Sequence, residues 1–278
     1  MSTTVSRTRA LVECALMIAV ASILSMIKLV DLPYGGSVTI ASMLPIIIIA
    51  YRHGPGWGLG GGLAYGVIQQ LLGLNTLSYV TTWQSILAVV LLDYIIAFAV
   101  IGISGIFRKM KSQSAALVYG SILVGLLRYV CHVISGATVW AGLSIPDNAA
   151  LMYSLAYNAT YMLPETIVLV IVAYYLGTTM DLRRDQPTRI IRTESPKNFM
   201  VKFGSGILIC GMLIYDVAAV FSKLQNEETG DFFIQGLADV NWLRVIIISA
   251  VCLIGVFALV IYGKSKFSDA DYNGSVNG

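Results

Sequence analysis

The feature that most constrains this chain is a succession of apolar runs, each close to the length a helix needs to cross a bilayer. They fall at 10–30, 35–51, 56–74, 82–107, 115–139, 150–179, 199–222 and 243–262. A crossing takes roughly 20 helical residues for about 30 Å of hydrocarbon. A soluble core made from 278 residues could not hide so many such runs. Only 12% of residues are charged, against about a quarter in soluble domains. The expected fold is therefore an all-α polytopic membrane protein with eight spans. The second run, ending before Arg52, is short enough to need tilt or local thinning. Pro33, Gly35 and Gly36 break the first connection, Gly54, Pro55 and Gly56 the second, and Pro146 the fifth. Although Arg7 and Arg9 precede the first run as in a signal peptide, it contains Glu13 and Lys28 and lacks a small-residue cleavage site. It reads as a retained span.

Charge placement sets an expected direction. With Arg7 and Arg9 cytoplasmic, the same side collects Arg52, Arg108, Lys109, Lys111, Arg183, Arg184, Arg189, Arg192, Lys197, Lys202, Lys264 and Lys266. The opposite side collects Asp31, Asp147, Glu227, Glu228, Asp231 and Asp239 against Lys223 and Arg244. This bias fits an even number of spans with both termini cytoplasmic, in a prokaryotic cytoplasmic membrane. No basic patch is interleaved with exposed aromatics, which argues against nucleic-acid binding. Cys14, Cys131, Cys210 and Cys252 all lie in apolar runs without a CxxC, so they read as small buried hydrophobes. A charged linker over 183–198 divides six spans from a two-helix extension over 199–264, and a flexible tail follows over 265–278.

Polar groups inside the spans demand an explanation. Asp93 sits in Leu91-Leu92-Asp93-Tyr94, where a charge costs on the order of 3 kcal/mol on insertion scales. Arg128, His132, Gly136 and Trp140 follow at intervals of four and form one helical stripe. Tyr153 and Tyr157 share a face of the next span, with Asn158 beside it. A carboxylate, a cation, an imidazole, an amide and aromatic faces together suit a flat, partly cationic ligand. The carboxylate balances its charge, the aromatics stack, and Asn and His satisfy ring nitrogens. Gly136 allows close approach. The plainer reading is an Asp93–Arg128 ion pair holding helices together. Glu13, Glu165 and Asp216 read as interhelical hydrogen-bonding residues, and Trp57 as an interfacial aromatic. Glycines 58, 60, 61 and 62 read as close helix packing. No phosphate-binding loop, metal-ligand spacing or nucleophile elbow occurs, so neither an enzyme nor a metal site is expected. ATP-driven work would need a partner ATPase.

These residues resemble the thiamine-specific substrate-binding (S) components of energy-coupling factor transporters, the ThiT/YuaJ-like family. The resemblance covers roughly residues 8–182 as a six-helix core. It rests on Leu91-Leu92-Asp93-Tyr94, Leu127-Arg128-Tyr129 with His132, Ser135-Gly136, Trp140, Tyr153-Ser154-Leu155 and Tyr157-Asn158. It implies that Asp93, with Tyr94 beside it, engages the cationic vitamin. His132, Gly136, Trp140, Tyr153, Tyr157 and Asn158 would line the pocket, with Arg128 as a basic position and Tyr79 contributed by the connection before span four. The ligand would be thiamine, without a covalent cofactor or metal. ATP would be used by two cytosolic ATPases joined to a transmembrane coupling protein, which Ala15 and Ala19 on span one would contact. The sequence departs from one family member in carrying Asp rather than Glu at 93 and Gly36 in place of a tryptophan, and from the six-helix core in its two extra C-terminal spans. A thiamine-precursor S component, a structural or assembly membrane protein, and an autonomous secondary transporter are the competing readings.

Overall fold

A computed structural model of the chain describes residues 3–32, 35–142, 147–190, 196–224 and 234–274. Its long helices are α1 Thr3–Met26, α2 Leu44–His53, α3 Pro55–Leu72, α4 Trp83–Lys109, α5 Gln113–Gly142, α6 Asp147–Thr179, α7 Pro196–Leu224 and α8 Trp242–Gly274. All of these except α2 and α3 are long and apolar enough to cross a membrane, six helices among the described residues. Two compact units result, 1–190 and 191–278.

Two elements differ from expectation for one reason. The described residues between 28 and 39 do not continue helices; Lys28–Asp31 (β1) pairs antiparallel with Ser37–Thr39 (β2), Val30 opposite Val38. Gly35 turns the hairpin at φ +96°, a left-handed conformation that favours glycine. The first helix therefore stops at Met26 rather than 30, and α2 starts at Leu44 rather than 35. Ten residues rise only about 15 Å, half of a bilayer core. Rather than tilting across, α2 is a stub whose residues from Leu44 to Tyr51 are all buried. It packs among Cys14 and Ala21 of α1, Tyr65 of α3, Ile101 of α4, Leu117 of α5 and Leu169 of α6.

Glycines let α3 lie with its backbone directly on α4. A Cβ on Gly102 would strike the backbone of Gly58 and Leu59, and one on Gly62 or Gly66 would strike the carbonyls of Phe98 or Tyr94. The glycine-rich run thus serves packing. Helices α5 and α6 run antiparallel in close contact, Gly125 against Thr166 and Gly136 against Ser154. α6 continues through Pro164 without a break.

At the far end of the first unit from the β1–β2 hairpin, Arg52 closes α2 with two bonds to Glu13, Nε–Oε2 at 3.0 Å and Nη2–Oε1 at 2.9 Å. It also donates to the carbonyls of Leu182, Arg184 and Asp185. His53 Nε2 lies 2.6 Å from the same carboxylate. Glu13 therefore joins two helices, as its intramembrane position suggested. After α6, Met180–Asp181 (β3) pairs with Thr188–Arg189 (β4). In the second unit Ser249 of α8 donates to Asp216 of α7 at 2.9 Å, the interhelical bond expected there. α8 continues to Gly274, past the expected span end at 262 and into the expected tail; residues 191–195 of the linker and 275–278 of the tail lie outside the described residues.

Backbone-on-backbone packing has a direct test. Gly102→Ala should lower the thermal unfolding temperature of detergent-purified protein, an overpacking cost of about 1–3 kcal/mol. Gly60→Ala, whose methyl meets nothing within 4 Å, should leave it unchanged.

Candidate ligand-binding site

The polar residues singled out in the sequence come together around one cavity of about 620 Å³, within the ~300–1,000 Å³ range of small-molecule pockets. Its walls come from α3, α4, α5 and α6, from Ser25 and Met26 at the end of α1 and from the connection after α3, and the hairpin segment contributes Lys28, Asp31, Leu32, Gly36, Ser37 and Thr39. No residue of α2 lines it. Short as it is, α2 leaves that space to the hairpin.

Asp93 lies in a π-helical stretch, Val89–Ile96, inserted into α4. Such wide turns recur at functional sites because they rotate the following residues off the regular helical face. The carboxylate is gripped on both oxygens: His132 Nδ1 lies 2.8 Å from Oδ1 and Ser135 Oγ donates to Oδ2 at 2.9 Å. Its side chain keeps 24% of its surface accessible, so the held charge faces the cavity. His132 Nε2 in turn lies 3.3 Å from Nη2 of Arg128. A guanidinium only donates, so Nε2 accepts and the ring proton sits on Nδ1, directed at Asp93.

Arg128 is itself buried and lies over the Phe98 ring, Cζ 4.2 Å from its centroid. The Asp93–Arg128 ion pair of the plainer reading does not form, because His132 occupies the space between them. Asn158 is equally committed. Nδ2 donates to the carbonyls of His132 and Ser154, at 3.2 and 2.9 Å, and Oδ1 accepts from Tyr161 at 2.6 Å. The nitrogens of His132 and Asn158 thus bond Asp93, Arg128, backbone carbonyls and Ser154, while both residues line the cavity.

Tyr94 lines the cavity and bonds Thr76 Oγ1 at 3.1 Å, while its ring stacks on Phe98 at 15°. Tyr157 accepts from the Gly36 amide at 3.1 Å, tying hairpin to α6. A Cβ on Gly36 would meet Tyr161 Cδ1 at 2.8 Å and Tyr157 Oη at 2.9 Å, so the two tyrosines fill the space beside it. Gly136 lies against Ser154 and Asn158.

Of the sequence candidates, Asp93, Tyr94, Arg128, His132, Gly136, Tyr157 and Asn158 all line this cavity. Tyr153 is half-buried on α6 and is not among the lining residues. The side chains of Trp140 and Tyr79 lie outside the described residues. Ala15 and Ala19 are exposed on α1, one turn apart. The sequence reading missed Tyr161 as a wall residue, although its spacing from Tyr157 and Asn158 places it on their face. It also gave Glu165 a purely structural part. Glu165 does bind across elements, accepting from the Thr39 amide and, at 2.7 Å, from Thr39 Oγ1, but it lines the cavity as well.

Against known proteins, the family model described as thiamine transporter protein (Thia_YuaJ) matches residues 11–183. The chain belongs to that family. It is 39% identical over 181 residues to the thiamine transporter ThiT of Bacillus subtilis, covering 61% of this chain and 90% of that relative. A solved structure of ThiT from Listeria monocytogenes superposes with a TM-score of 0.51 at 27% identity, covering 63% of this chain and 96% of the other. Membership makes this a multi-pass protein of the bacterial cytoplasmic membrane and a transport subunit rather than an enzyme. Helices α7 and α8 lie beyond the family match.

The tautomer is measurable. Nitrogen-15 spectra of histidine-labelled protein, with His53 the only other histidine, should show His132 protonated on Nδ1 and bare on Nε2. The opposite assignment would contradict the Arg128–His132–Asp93 order.

Proposed function

We propose that this chain is the thiamine-binding S component of an energy-coupling factor transporter. The observation that carries the reading is the held carboxylate of Asp93, facing a cavity walled by Tyr94, His132, Tyr157 and Asn158 in a member of the thiamine transporter family. Thiamine is a flat ion with a fixed positive charge. The Asp93 carboxylate, held by His132 and Ser135, supplies the counter-charge, and the tyrosine and imidazole rings supply stacking surface. Orientation is set beforehand, because Ser135 and His132 prevent the carboxylate from rotating. Gly136 admits the ligand close to the α5 backbone, and Arg128 acts behind His132. Trp140, Tyr153 and Tyr79 complete the pocket by resemblance.

S components of this transporter class work with a membrane coupling protein and ATPases. For this chain we place the coupling contact on the exposed Ala15–Ala19 face of α1, where small residues permit close helix approach. ATP is consumed by the two cytosolic partners. The vitamin enters from the hairpin side, with both termini cytoplasmic, as the basic residues at the Arg52 end support. Residues 8–182 form the binding domain, 183–198 a cytoplasmic linker and 199–264 an added pair of spans.

Calorimetric titration of purified protein with thiamine should give saturable one-to-one binding; its absence from folded protein would sink the reading. Asp93→Asn should weaken binding by about 2–3 kcal/mol, on the order of 30- to 150-fold. Uptake into vesicles should require both the coupling protein and hydrolysis-competent ATPases. Uptake that persists with inactive ATPases would indicate autonomous transport.

A further inference from the structure

The cavity is deeper than the Asp93 level, and its inner end carries chemistry that the counter-charge reading leaves unused. On α5, Arg128 lies four residues below His132, about 6 Å along the axis. On the antiparallel α6, Glu165 falls at a matching depth, since Gly125 meets Thr166 just below and Gly136 meets Asn158 above. Both Arg128 and Glu165 line the cavity and both are buried, at 8% and 5% exposure. Opposite charges at this depth would ordinarily pair, yet among the described residues neither forms a salt bridge within 4 Å. Arg128 Nε is buried without a hydrogen-bond partner. Among the described residues Glu165 accepts only from Thr39, on each oxygen once, and a carboxylate has lone pairs for more. Arg128, with one unanswered donor, and Glu165, with an under-used acceptor, therefore line the same cavity, together with Tyr65, Phe98 and Met162.

We infer that Arg128 and Glu165 form a second polar subsite, one helical turn below Asp93, that takes an alcohol hydroxyl of the ligand. A hydroxyl is the smallest group that can donate to Glu165 and accept from Arg128 Nε through a single atom. The inference rests on the thiamine reading. Thiamine carries one hydroxyl, on a two-carbon arm of its thiazolium ring, and the arm reaches on the order of one helical turn, roughly 5 Å, from the ring charge. With the ring charge at Asp93, the arm points down the cavity and its hydroxyl closes the gap between the two buried charges. Glu165 then has two tasks, holding Thr39 of the hairpin from one side and the ligand from the other. Binding would couple the inner end of the cavity to the segment that covers it.

The test compares thiamine with its analogue in which the hydroxyl is replaced by hydrogen, titrated against detergent-purified full-length protein. Wild type should bind the analogue about ten- to a hundredfold more weakly, the effect of one hydrogen bond to a charged group. In Glu165→Gln, thiamine affinity should fall toward that of the analogue while analogue affinity stays put, which also reports an intact fold. Equal binding of both compounds by wild type overturns the subsite and leaves the thiamine reading standing. So does a Glu165→Gln variant that discriminates as strongly as wild type. Should the variant bind neither compound, the wild-type ratio decides alone. If wild type binds neither, the thiamine reading itself fails and the subsite falls with it.

Discussion

A polar group placed within hydrocarbon-length helices is costly unless it finds a partner inside the protein, since lipid offers none. That constraint organises the first unit from end to end. Glu13 is answered by Arg52 and His53, Asp93 by His132 and Ser135, Asn158 by Tyr161 and Ser154, and Glu165 by Thr39. Each bond joins different elements or locks a turn within one, so satisfying the groups also fixes the helix positions. In the second unit Asp216 and Ser249 do the same for α7 and α8. The polar groups are few, and they act where an apolar contact would leave rotation and sliding free.

Packing decides where room is left. Glycines on α3 and α4 bring two backbones into contact, and small residues between α5 and α6 do likewise. These contacts consume volume at the level of α2, which is filled by its own buried isoleucines. Toward the hairpin the stub ends, tyrosines and polar side chains replace isoleucine, and the helices enclose space instead of filling it. The cavity thus follows from a helix too short to span and a strand pair that takes over its remaining path.

Within that space the division of labour follows donor and acceptor capacity. Nitrogens of His132 and Asn158, the groups that look most available in a sequence, are spent on Asp93, on carbonyls and on Ser154. Asp93, the rings of Tyr94, His132 and Tyr157, and Arg128 line the cavity, a set suited to a flat cation. Membership of the thiamine transporter family gives that lining its ligand.

By itself the sequence determined the class of solvent, because runs of spanning length and sparse charge admit only a bilayer. It also determined the stripe of Arg128, His132 and Gly136, since helical periodicity places residues four apart on one face whatever surrounds them. Asp93 was legible for a related reason: a carboxylate amid leucines is too costly to be incidental. Tertiary structure decided everything that depends on which partner a group finds. It broke the supposed Asp93–Arg128 pair by inserting His132, paired 28–31 with 37–39, and brought Glu165 to the cavity wall. Strand pairing, and the choice between two equally plausible donors, depend on contacts between residues distant in sequence. Those contacts are set by the packing of six helices together, which no local pattern encodes.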